Sequence, residues 1–168
     1  MTQPEFQRLF DLAEANTAVA DFEAAATADE MAALARRFDV KALSNVTLKL
    51  DIAPHSFGYR ITGTISAVAS QTCVVTQKPL ENRVSGDIDY LAVTQDDDLD
   101  LDTLEESFGI AEAERFEGDV LDLGELAAQY LGLAIDPFPR ASGAHIDSDI
   151  AAQKHSPFSV LSQLKDKG

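Results

Sequence analysis

With 168 residues, 45% of them hydrophobic, the chain has material for one good core and too little for two. Its glycine and proline content is ordinary and it has no long apolar run, which excludes fibrous, low-complexity and helical membrane-spanning classes. Asp and Glu number 29 against 13 Lys and Arg, and a formal net charge of -16 repels free nucleic acid and anionic membranes while favouring partners with basic surfaces.

In chain order, Pro4 to Ala15 carries Phe6, Leu9, Phe10 and Leu12 with a mixed period and is predicted as a strand. A second short strand is expected over Val19 to Ala24. Thr27 and Glu30 then form a capping box. Met31, Leu34, Ala35 and Phe38 follow at helical spacing, which predicts an amphipathic helix over Ala28 to Phe38.

The middle third reads as β structure. Val46, Leu48, Leu50 and Ile52 alternate with polar residues. Tyr59, Ile61, Gly63, Ile65, Ala67, Ala69, Gln71 and Cys73 share one face of a long strand, and Val84, Ile88, Tyr90 and Ala92 share one face of the next. Short turns at Pro54–Gly58 and Gln77–Pro79 make this an antiparallel meander. Small residues at Gly63, Ala67 and Ala69 leave inner-face room for a packed helix or for strong strand coiling. The expected class is α+β, a partly curled antiparallel sheet with two main helices and a short C-terminal one.

The run from Gln95 to Ser107 contains Asp96, Asp97, Asp98, Asp100 and Asp102. It lacks the sixth-place glycine and twelfth-place glutamate of a calcium loop, so it reads as a solvated loop or a docking site for a basic protein. Asp122 caps a further helix with an apolar stripe of Leu123, Leu126, Ala127, Tyr130 and Leu131, ending near Ile135 because Pro137 and Pro139 follow. Residues 141–155 have linker composition. Ser156-Pro157 opens a short amphipathic segment with Phe158, Leu161 and Leu164, which either folds back or docks onto a partner. The expected organisation is one domain over residues 1–140 with an acidic loop at 95–107, a linker over 141–155 and a tail over 156–168.

Catalytic chemistry finds little support. Cys73 is the single cysteine, its inward strand position is that of a small core residue, and His55, His145 and His155 lie in a turn or in the linker. One cysteine and scattered histidines do not supply a zinc site, no phosphate-binding glycine loop or GxSxG is present, and no cofactor is expected. A single cysteine and a start, MTQPEFQRLF, without a basic-then-apolar pattern suit a reducing cytoplasm and no signal peptide.

Several motifs occur together. Cys73-Val74-Val75-Thr76, Pro79 and Glu81, Glu117-Gly118-Asp119, Asp122-Leu123-Gly124-Glu125, Asp136-Pro137-Phe138-Pro139-Arg140 and Ser156-Pro157-Phe158 with Leu161, Leu164 and Lys165 stand in an order that resembles the YceD family. Those bacterial and plastid proteins are associated with accumulation of large-subunit ribosomal RNA, and the wording here is most similar to the alphaproteobacterial branch. Many members carry Cys-x-x-Cys where this chain has Thr76 at the second place, so any metal or redox role of paired cysteines should be absent.

The resemblance implies a non-enzymatic factor in 23S ribosomal RNA accumulation or large-subunit assembly. Combined with the charge, it points to a basic large-subunit ribosomal protein or a precursor particle as partner. Asp96, Asp97, Asp98, Asp100 and Asp102 would attract that partner, and Asp136, Pro137, Phe138, Pro139 and Arg140, or Phe158 and Leu161 of the tail, would contact it specifically. The alternative is direct contact with ribosomal RNA through outward-facing Lys49, Arg60 and Arg83.

Overall fold

The computed structural model describes residues 4–94 and 100–144. The fold is α+β, with strands β1 (Leu9–Asp11), β2 (Ala20–Ala25), β3 (Ala42–His55), β4 (Gly58–Thr72), β5 (Pro79–Val93), β6 (Glu112–Arg115) and β7 (Val120–Asp122). Its helices are α1 (Ala28–Arg37), α2 (Leu101–Phe108) and α3 (Leu123–Ala134). Five strands form the main sheet in the order β2-β3-β4-β5-β6, and β1 and β7 form a separate antiparallel pair. The predicted meander is β3-β4-β5. β2 joins it antiparallel, and β6 runs parallel to β5.

Alternation places the core. Leu48, Leu50, Ile52, Ile61, Ile65, Val84, Ile88 and Tyr90 are buried on the inner face, as the sequence predicts, and α1 and α3 cover them with Leu34, Leu126, Ala127 and Leu131. The Thr27–Glu30 capping box of α1 is closed from both sides, Thr27 Oγ1 accepting from the Glu30 amide and Glu30 Oε2 from the Thr27 amide. Such a cap is worth about 1 kcal/mol.

The small-residue reading divides. Gly63, at φ 150°, admits the neighbouring strand, because a Cβ there would collide with the Lys49 carbonyl. Gly86, on β5, is where a helix comes close: a Cβ would lie 2.8 Å from the Tyr130 carbonyl oxygen of α3.

Two expectations need correction. The strand predicted over Pro4 to Ala15 shrinks to β1 followed by a 3-10 helix, Leu12–Ala15, because the Asp11 side chain accepts the Ala13 amide and turns the chain. The loop expected at 95–107 is, over its described part, mostly α2. Asp100 precedes this helix, Leu101 and Leu104 face inward, and Gly109 ends it in the left-handed conformation at φ 61°. A strongly acidic composition masked that apolar spacing. α2 covers a second, smaller cluster on the outer face, with Leu104 and Ile110 against Leu91, Val93 and Ala113. Phe108 packs edge-on to His55, with ring centroids 5.0 Å apart. The short C-terminal helix expected over 156–168, and the linker beyond residue 144, lie outside the described residues.

Candidate functional site

Two of the sequence-distant motifs meet at one end of the main sheet. Cys73 follows β4, and the turn after it brings the Val74 amide to the Pro139 carbonyl at 3.0 Å. The Ala141 amide points at Cys73 Sγ from 3.3 Å, and the Thr76 amide from 3.4 Å. Gln71, the one buried polar residue among those described, donates to the Asp136 carbonyl at 2.7 Å and accepts from Asn82 Nδ2 at 3.0 Å. Asp136 in turn accepts the Phe138 amide through Oδ1. The Asp136–Arg140 segment is therefore fastened to the ends of β4 and β5 by backbone and amide groups, leaving Phe138 69% exposed.

The expected core position of Cys73 holds, since its side chain is out of contact with water. The surroundings of the thiol are less ordinary. The Thr76 hydroxyl, then the Ala141 and Thr76 amides, favour the thiolate and bring its pKa from 9.0 down to about 6, while desolvation opposes them as a smaller cause. Thr76, which occupies the place of the second cysteine, thus acts as a donor to the first. Among the described residues no histidine is brought to Cys73: His55 packs at the opposite end of the sheet, on Phe57 and Phe108.

That opposite end carries the acidic residues. Asp100 and Asp102 open α2, and Asp102 and Glu106 are exposed on it. Glu112 and Glu114 on β6 accept hydrogen bonds from Tyr130 and Tyr90, and the carboxylates beside them raise both phenols above their usual range after desolvation has done so. Glu117 and Asp119 are exposed in the turn before β7. Asp96, Asp97, Asp98, Phe158 and Leu161 lie outside the described residues.

The outward basic patch expected for RNA contact is neutralised at two of its three positions. Lys49 pairs with Glu23 directly across β2 and β3 at 2.9 Å, and Arg60 holds Asp89 through two bonds of 2.8 and 2.9 Å. Asp21 and Asp51 face each other beside Lys49, and the hydrogen bond that a protonated Asp51 donates to the Asp21 carboxylate raises the Asp51 carboxyl above its usual range.

The helices are bound to each other and to the N-terminal segment in the same way. Arg37 forks onto Glu125 at 2.8 Å through both terminal nitrogens, and Arg8 onto Glu30 at 2.7 and 2.9 Å. No protein-family model, curated protein or solved structure matches the chain. Function is therefore read from this geometry and from the motif resemblance. The residues that sequence reasoning missed are Gln71 and Asn82, and the signal was available: an amide at an inward strand position needs a buried partner.

Proposed function

We propose that the protein is a non-enzymatic factor supporting 23S ribosomal RNA accumulation and large-subunit assembly by holding a basic large-subunit ribosomal protein or an assembly intermediate. The observation that carries this reading is the gathering of exposed carboxylates at one end of the sheet, on α2 and the turn before β7. Such a surface speeds encounter with a Lys/Arg-rich chain and masks its charge against wrong contacts. The motif resemblance supplies the ribosomal context. The Asp136–Arg140 segment, rigidly fastened yet presenting Phe138 to solvent, is the second contact.

The test is a tagged pull-down at moderate salt with ribonuclease present, comparing the wild type with Asp102→Asn/Glu106→Gln and with Phe138→Ala. The expected result is a basic large-subunit protein retained by the wild type, depleted several-fold by the double variant, with the Phe138→Ala loss persisting at high salt. Ribosomal components that disappear on ribonuclease treatment, or a double variant that retains them fully, would overturn the reading.

A further inference from the structure

The main sheet has two edges, and they are finished differently. At β6 the edge is closed: the Ala113 amide, which the ladder to β5 leaves pointing outward, donates to Oε1 of Glu105 on α2 at 2.8 Å. At β2 it is open. Ladder bonds alternate along an antiparallel pair, and Ala26 continues the β2-β3 ladder by donating to the Val46 carbonyl at 3.0 Å. Ala20, Phe22 and Ala24 therefore turn their amides and carbonyls to β3, while Asp21, Glu23 and Ala25 turn theirs away. The Ala25 carbonyl is taken by Arg8 Nη2 at 3.0 Å. The backbone groups of Asp21 and Glu23 meet no partner among the described residues.

We propose that the open edge of β2 takes an antiparallel strand from a basic partner protein, an extended segment with Lys or Arg at every second position. The side chains decide the occupant. Asp21 and Glu23 stand exposed on the outer face of the sheet, whereas Phe22 and Ala24 pack against the core. An added strand that alternates basic and apolar residues sets its cations beside Asp21 and Glu23 and its apolar side chains beside Phe22 and Ala24. A second copy of this chain does not fit, because two β2 edges side by side would bring carboxylates against carboxylates.

The charge here exceeds what protection of an edge requires. Edge strands carry charges that block unwanted pairing, but Asp51 lies on the second strand, directly opposite Asp21, and neither forms an ion pair among the described residues. Like charges directly opposite destabilise a sheet, and a cation brought in by a neighbouring strand offsets that cost. Glu23 is tied to Lys49, but the two are 70% and 68% exposed, so exchanging one exposed pair for another costs little. The edge deepens the basic-partner reading, on which it rests for the class of protein, and adds a backbone contact to the carboxylates of α2.

The experiment uses the purified full chain at about 0.1 M salt. A fluorescent peptide of alternating lysine and valine, longer than the six residues of β2, is followed by anisotropy. It is compared with the same peptide N-methylated at its lysines and, separately, at its valines. In an antiparallel pair the lysines beside Asp21 and Glu23 are the residues whose amides bond to the edge, so lysine methylation removes the strand bonds and keeps every charge. The protein is used as wild type, as Asp21→Asn/Glu23→Gln and as Asp102→Asn/Glu106→Gln. Both edge residues are exposed, so their double variant should melt like the wild type by circular dichroism.

The expected result is binding by the wild type that falls about tenfold on lysine methylation and in the edge variant, and that changes little on valine methylation or in Asp102→Asn/Glu106→Gln. Exchange of the Asp21 and Glu23 amides, fast in the free chain, should slow when the peptide is bound, while that of the α2 amides stays as it was. No binding of the unmodified peptide, or binding indifferent to lysine methylation or to the edge variant, would overturn the strand site. A loss confined to Asp102→Asn/Glu106→Gln would overturn it too, and would assign the lysines to α2 instead. The basic-partner reading is decided separately, by retention of a ribosomal protein in the pull-down, so the two can fail independently.

Discussion

The two ends of the main sheet are built from the same strands and differ in how their charges are satisfied. At the end where β5 finishes, carboxylates on α2 and β6 outnumber the cations, and several face solvent. At the end where β5 begins, the segment Asp136–Arg140 is fixed by amide and thiol groups that use no side-chain cation, and Arg83 and Arg140 form no ion pair among the described residues. A net charge of -16 describes neither end. Composition sums over a surface that the fold then sorts, and binding responds to the sorted surface.

The sheet between the ends is what keeps them apart, and the largest expected effect comes from breaking it. Ile65 is fully buried at the middle of β4. Ile65→Asp should cost at least about 3 kcal/mol through an unpaired buried charge. Urea unfolding followed by hydrogen exchange should show both ends lost together. Thr64→Asp, on the outward face, should stay within about 1 kcal/mol. Equal losses would mean that the strand does not separate inside from outside as described.

The next effect is smaller and should be felt more strongly at the basic end. Gly86→Val places a side chain against the Tyr130 carbonyl and pushes α3 off β5. It should cost about 1–3 kcal/mol as overpacking. Since α3 leads into Asp136–Arg140, exchange protection there should fall more than protection in α2. Gln71→Ala is more local again. It leaves the Asp136 carbonyl and the Asn82 amide without their partner, at about 1–2 kcal/mol. The amides of Phe138 and Ala141 should then exchange faster while α2 is unchanged, a contrast that heteronuclear NMR reads directly.

How much of this was legible in advance follows from what local pattern can carry. The inner face of β3, β4 and β5, and the start of α1, were readable because period-two alternation and the Thr27–Glu30 box are local signals. α2 was missed because Leu101 and Leu104 are too few to outweigh five neighbouring aspartates in composition. The pairing within the expected RNA patch was hidden for a different reason. Whether Lys49 and Arg60 are free depends on which strand lies beside them, and Glu23 and Asp89 are supplied by β2 and β5 through register. The meeting of Cys73 with Ala141 joins positions 68 residues apart, a closure that no periodicity encodes. Gln71, by contrast, stood at an inward position with its polarity in plain view.

Acidification provides the gentlest way to tell the ends apart, because each carries a group whose pKa the fold lowers. At the acidic end His55 is held below its usual pKa, by desolvation first and by Arg60 second. The fold prefers the neutral ring, the unfolded chain takes the proton first, and stability is lost as the pH falls below about 6.5. At the basic end the Cys73 thiol has a folded pKa of about 6 against 9.0 unperturbed. Its contribution is complete above about pH 9, declines as the pH falls and is gone below about 6. Between about pH 8 and 7, therefore, loosening should be confined to the Asp136–Arg140 segment, and only from about pH 6.5 downward should α2 join it. Cys73→Ser should remove the first phase of amide exchange and leave the second, with thiolate absorbance in the far ultraviolet giving a midpoint of about 6 in the wild type. A wild-type midpoint at the unperturbed value, or a serine variant that still shows the first phase, would mean that the amides of Thr76 and Ala141 stabilise no charge and that this end is held by Gln71 and the Val74–Pro139 bond without them.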